Sequence, residues 1–73
     1  MLHNINFMKI FINGEIRDIP EVINLFELLA HLSLSQQRIA VELNESVVRR
    51  KDWDTTKINA ADNIEIIHFV GGG

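Results

Sequence analysis

The sequence predicts a small α+β domain in which a mixed sheet curls around one main helix. Three observations carry that prediction: a hairpin signal near the N-terminus, a single amphipathic helix after it, and further strand-like segments, the longest of them last. One amphipathic helix can cover only one face of a small sheet, so the remaining strands must wrap around it.

Met8-Lys9-Ile10-Phe11-Ile12 is rich in β-favouring apolar residues and reads as the first strand. Asn13-Gly14 follows, and both central positions of a type I′ turn need positive φ, which this pair tolerates. Glu15-Ile16-Arg17-Asp18-Ile19 returns as the second strand, and Pro20 stops it because proline has no N–H for a ladder. Asn24 is a good N-cap with Glu27 three residues on, the spacing of a capping box. Leu25, Leu28, Leu29 and Leu32 then form one apolar stripe at helical spacing, with Phe26 widening it or packing at its edge. The helix is expected to end near Leu32–Leu34, before a polar loop of Ser33, Ser35, Gln36 and Gln37.

Ile39–Leu43 reads as the third strand, with Ile39, Val41 and Leu43 on one face. Asn44-Glu45 turns the chain, and Ser46-Val47-Val48 is a short continuation. Trp53 is expected over one edge of the core, its indole N–H seeking a partner. Lys57-Ile58 makes a brief strand, Asp62-Asn63 a turn, and Ile64–Val70 the last strand. Hairpin, helix and then further strands is the element order of a β-grasp. The expected organisation is an extension over 1–7, a folded domain over 8–70 and a glycine tail over 71–73. The extension either lengthens the first strand or stays loose, and Met8 offers an alternative start.

Composition bounds what such a domain does. Seventy-three residues lie near the lower limit for a core without staples, and there is no cysteine to supply a disulfide or a thiolate metal site. Seven basic against ten acidic residues give a net charge of −3, opposite to the basic excess of a small nucleic-acid binder. The one basic cluster, Arg49-Arg50-Lys51, is bracketed by Glu45, Asp52 and Asp54 and reads as solvated surface, or as a docking patch for an acidic partner. No apolar run approaches a membrane span, and the first residues lack the features of a signal peptide, so the expected location is cytoplasmic.

Nothing assembles an acid, a base and a pocket, so the chain is not expected to be an enzyme. His3, His31 and His68 lie far apart without metal-ligand spacing; His31 is expected on the helix surface and His68 partly packed. Ser33, Ser35 and Ser46 fall in expected turns without a nucleophile signature. What remains is Gly71-Gly72-Gly73, placed directly after the last strand. Without Cβ atoms these residues can lie extended in a channel too narrow for side chains, delivering the α-carboxylate of Gly73 to another protein's active site. The plain alternative is an inert, frayed tail. Ile64 and Ile66 are expected to face the helix, with Glu65, Ile67 and Phe69 on the other side. Ile67 and Phe69 then form an apolar pair beside the tail, either tucked under a loop or available for docking.

From Met8 to Gly73 the chain resembles the ThiS family, the sulfur carriers of thiamine (thiazole) biosynthesis. The resemblance rests on Ile64–Gly73, on Val47-Val48-Arg49-Arg50-Lys51-Asp52-Trp53, on the Met8–Glu15 opening and on the Asn24–Leu32 helix start. Two departures stand out: residues 1–7 precede the usual family start, and Arg49 replaces a frequent proline. The resemblance implies a ubiquitin-like β-grasp whose Gly73 is adenylated by a ThiF-type enzyme, converted to a thiocarboxylate and used as sulfur donor by a ThiG-type thiazole synthase. Gly72 and Gly73 would thread the partner's channel with Gly71 as hinge. Sulfur would come from a donor such as a cysteine desulfurase. ATP and Mg²⁺ would belong to the activating enzyme, and the carrier itself would bind no cofactor. A terminal Gly-Gly is shared with molybdopterin-type sulfur carriers and ubiquitin-like modifiers. A β-grasp interaction module with an inert tail is the reading from another class.

Overall fold

A computed structural model describes residues 6–34 and 38–69. The chain order is β1 (Phe7–Ile12), β2 (Glu15–Pro20), β3 (Ile23–Asn24), α1 (Leu25–His31), β4 (Ile39–Leu43), β5 (Ser46–Val48), a 3₁₀ helix (Arg50–Thr55), β6 (Lys57–Ile58) and β7 (Asn63–His68). Five strands form a mixed sheet in the order β2-β1-β7-β4-β5, and β3 pairs with β6 in a separate ribbon. β1 runs antiparallel to β2 and parallel to β7, while β7 runs antiparallel to β4. This is the expected β-grasp, a curled sheet holding one main helix.

Local chemistry explains most of the elements. Asn13 and Gly14 take φ of 49° and 84°, the two left-handed positions of the first hairpin turn. Asn44 and Glu45 repeat the arrangement between β4 and β5, at φ of 51° and 74°. The capping box is complete. Asn24 Oδ1 accepts from Glu27 N–H at 2.7 Å, and Asn24 N–H donates to Glu27 Oε1 at 3.0 Å.

Alternation then decides what is buried. Ile10 and Ile12 of β1, Ile19 of β2, Ile39 and Val41 of β4, and Ile64 and Ile66 of β7 all point inwards. They meet Leu25, Leu28 and Leu29 of α1, while Leu32 is half-buried at the helix end. Each fully buried leucine of this kind stabilises the fold by roughly 1.5–3 kcal/mol. Trp53 closes one edge of the core at 2% exposure. Its indole N–H donates to the Val48 carbonyl at 3.0 Å, so the ring is buried without leaving a polar atom unpaired.

Several expectations need correction. β2 extends through Pro20, which pairs with Phe7. Glu21 N–H bonds the Asn6 carbonyl at 2.9 Å, so at Pro20 the missing donor faces the free edge of the sheet, where proline removes no ladder bond. The turn expected at Asp62-Asn63 lies earlier: Ala61 is left-handed at φ 69°, and Asp62 Oδ2 accepts from Asn59 N–H at 2.7 Å. Asn63 therefore already belongs to β7. The last strand is no longer than β1 or β2, at six residues each. Its expected terminus, Val70, lies outside the described residues. Ser46 opens β5 and is not a turn residue, and Arg50–Thr55 winds into a 3₁₀ helix.

The cap gives a direct test. Asn24→Ala removes the side-chain acceptor at the first turn of α1 and is expected to cost about 1 kcal/mol. In a domain of this size that lowers Tm by roughly 4–8 °C. The fluorescence of Trp53, the one tryptophan, reads the transition; an unchanged Tm would show that the cap does not hold the helix in place.

Candidate functional site

The sheet's outer face, opposite α1, displays most of the exposed large apolar side chains, Val22 and Phe26 being the others among the described residues. Phe7 and Phe11 of β1, Ile16 of β2, Ile67 of β7, Val47 of β5 and Phe69 just past β7 are all exposed. Register sorts them into groups. Phe11 lies directly opposite Ile16, and Ile67 directly opposite Ala40. Glu42 and Glu65 face each other in the row between, with Val47 on the far side of Glu42. Two carboxylates thus separate a Phe11–Ile16 patch from the Ile67–Phe69 patch at the end of β7, and the Lys9–Asp18 ion pair stands between Phe11 and Phe7.

Ile67 and Phe69 are 44% and 58% exposed, so no loop among the described residues covers them. They sit where β7 hands the chain on. Phe69 N–H still donates to the Arg38 carbonyl at 2.8 Å, which carries the β4 ladder one residue past the strand's end. The apolar pair expected from alternation therefore stands on an open face, next to the segment that leads towards the glycines. Gly71, Gly72 and Gly73 lie outside the described residues.

β7 is held at its start and near its end by the side chains of the two turn asparagines, Asn44 and Asn13. At its start, Asn44 Oδ1 accepts from Asn63 N–H at 2.9 Å, and Asn44 Nδ2 donates to Asp62 Oδ1 at 3.0 Å. Near its end, Asn13 Oδ1 accepts from Ile66 N–H at 2.8 Å and Asn13 Nδ2 donates to the Ile66 carbonyl at 3.3 Å. The only signal for either contact was a turn asparagine, whose left-handed backbone throws its side chain across the neighbouring strand.

The histidines remain apart. His31 is exposed in the last turn of α1, as expected. His68, expected partly packed, is exposed too, because β1 ends at Ile12 and leaves the inner face uncovered at that level. It borders a cleft of about 130 Å³ with Arg17, Leu32, Leu34 and Ile66. The basic cluster is partly engaged: Lys51 pairs with Asp52 at 3.3 Å, and the Arg50 guanidinium lies 4.6 Å from the centre of the Trp53 ring. With Phe26 and Asp54, Arg50, Lys51 and Trp53 line an open groove on the helix side. Among the described residues no polar or charged side chain is buried, and no three potential metal ligands come together. No helix among them is long and apolar enough to cross a membrane.

Comparison with known proteins agrees with this geometry. The model of the ThiS family matches residues 10–73. A thiazole synthase of Magnetococcus marinus is 38% identical over 66 residues, which are 90% of this chain and 20% of that protein. The chain thus spans about a fifth of the length of the thiazole synthases it matches. The sulfur carrier protein ThiS of Bacillus subtilis is 36% identical over 47 residues, 64% of this chain and 71% of that one. The crystal structure of the thiamine biosynthesis protein ThiS from Geobacter metallireducens superposes with a TM-score of 0.80 at 35% identity, over 90% of this chain and all of the other. A β-grasp of this topology, matched by one family model from the first strand through the terminal glycines, belongs to the ThiS family of sulfur carriers in thiamine biosynthesis.

Proposed function

We propose that this chain carries sulfur as a thiocarboxylate on Gly73. A ThiF-type enzyme, using ATP and Mg²⁺, is the partner that activates it. A Gly73 carboxylate oxygen attacks the α-phosphorus of ATP, pyrophosphate leaves, and an acyl-adenylate forms. The terminal sulfur of a persulfide, supplied by a donor such as a cysteine desulfurase, attacks the carbonyl carbon and AMP leaves. A thiol then cleaves the S–S bond of the acyl disulfide and takes the donor sulfur away in a new disulfide. The thiocarboxylate passes its sulfur to a thiazole synthase, and the carboxylate returns. The carrier supplies no catalytic group and holds no cofactor of its own.

The observation that carries this reading is the family match, which runs without a break from Ile10 into Gly71-Gly72-Gly73. A glycine tail has no side chain to obstruct a narrow channel, which suits delivery of a backbone carboxylate to a buried active site. A thiazole synthase that contains a segment resembling this chain supports a ThiG-type enzyme as the sulfur acceptor. Dependence on ATP and reduced sulfur fits work in the cytoplasm.

Gly71 serves as the hinge, with Gly72 and Gly73 in the partner's channel. Ile67 and Phe69 dock the sheet face against the activating enzyme, next to the point where the tail departs. Exposed aromatic and aliphatic groups of this kind make effective anchors when a partner desolvates them.

Two experiments test the reading. Intact-mass measurement after incubation with an activating enzyme, ATP and a sulfur source should show oxygen replaced by sulfur, confined to the C-terminal peptide. Deleting Gly73 should abolish that change with Tm unaltered; a wild-type chain that stays unmodified while a control carrier reacts would sink the proposal. Phe69→Ala should raise KM for adenylation by about tenfold or more, the loss of one anchor contact. Because the ring is exposed, stability should move by no more than about 0.5 kcal/mol. A large fall in Tm would assign Phe69 to the core instead.

A further inference from the structure

The backbone of β1 runs out before β7 does. The parallel ladder between them passes through Phe11 N–H to the Asp62 carbonyl and Asn13 N–H to the Ile64 carbonyl, both at 2.9 Å. In a parallel pair the next rung would join Ile66 N–H to the backbone carbonyl of residue 13. It would also join the Ile66 carbonyl to the N–H two residues further on. Neither bond forms in that way, because the chain turns away at Asn13-Gly14. One side chain fills both places. Asn13 Oδ1 accepts from Ile66 N–H at 2.8 Å, and Nδ2 donates to the Ile66 carbonyl at 3.3 Å.

A carboxamide has the carbonyl and N–H of a peptide group, so Asn13 adds one rung to the sheet without adding a residue to the strand. Glycine satisfies the left-handed φ but offers no rung, and aspartate accepts from Ile66 N–H but sets a carboxylate against the Ile66 carbonyl. On its other side β7 is paired with β4 through Ile39 opposite His68, and on to Arg38. Without Asn13, the stretch from Ile66 to Phe69 would be held from one side only, and strand ends held that way open locally at low cost.

We propose that Asn13 is a positioning residue of the carrier: its carboxamide keeps the end of β7 in line and so sets the direction in which the chain leaves Phe69 towards Gly73. This inference rests on the carrier reading above. It adds a residue 53 positions upstream of Ile66 that acts through its contacts with the strand. Misplacing a reacting group by about an ångström can slow a reaction on the order of a hundredfold, so a wandering exit direction is expected to register in the chemical step.

The test uses the full chain with Asn13→Gly, which keeps a turn sequence suited to the hairpin, and Asn13→Asp, which keeps half the rung. Amide hydrogen exchange should quicken at Ile66 in N13G on the order of tenfold, while Ile10, whose amide faces β2, stays as in the wild type. With a ThiF-type enzyme, kcat for adenylate formation should fall about tenfold, with KM for the carrier within about twofold. N13D should fall between N13G and the wild type. Unchanged exchange at Ile66, unchanged kcat, or a loss confined to KM would each overturn the positioning role while leaving the carrier reading intact. A wild-type chain that is never adenylated would overturn the carrier reading, and the role of Asn13 with it.

Discussion

The pairing of β7 on both sides is the constraint on which the rest of the molecule depends. β1 and β2 form one hairpin and β4 and β5 another, and in the sheet β7 is the strand that hydrogen-bonds them together. The strand contributes Ile64 and Ile66 to the core and Ile67 to the opposite face. It also carries the chain out to the tail. Its fit is set by two ladders of opposite sense, parallel to β1 and antiparallel to β4. A one-residue slip in either would turn Ile64 and Ile66 outwards and bring Glu65 and Ile67 into the core. Burial therefore fixes register, and register decides which residues stand beside the exit of the chain.

Most of this frame was readable from residue order. Helical spacing of Leu25, Leu28 and Leu29 placed the buried stripe, and period-two alternation put Ile67 and Phe69 on the open face. Asn24 with Glu27, and Asn13 with Gly14, are local codes whose meaning needs only a few neighbours. What could not be read depended on distant partners. Ile23-Asn24 is too short to signal a strand and becomes one only because Ile58 and Lys57 lie opposite. His68 has the parity of a packed residue, but its exposure follows from where β1 ends. Asn13 reads as a turn former because its reach to Ile66 appears only when β1 and β7 are set side by side. The lack of side chains in the glycine tail suited a delivery device, with an inert end as the alternative. Its chemistry came from family resemblance and not from any spacing of reactive groups.

The outer face also shows how an apolar surface is divided by charge. Glu42 and Glu65 sit directly opposite each other, an arrangement that costs some stability in a sheet. They interrupt what would otherwise be a continuous apolar strip from Ile16 to Phe69. Like charges placed there also add to the net charge of −3.

The central strand is also the last of the described elements in chain order. Without β7, the β1–β2 and β4–β5 hairpins have no strand between them to join them into one sheet. Its contacts with β1 span more than fifty residues of sequence, so the closing step carries most of the loop entropy of folding. The strand that precedes the tail is thereby set in place by the same event that completes the core. For the carrier proposed above, adenylation would then favour folded molecules without a separate inspection step.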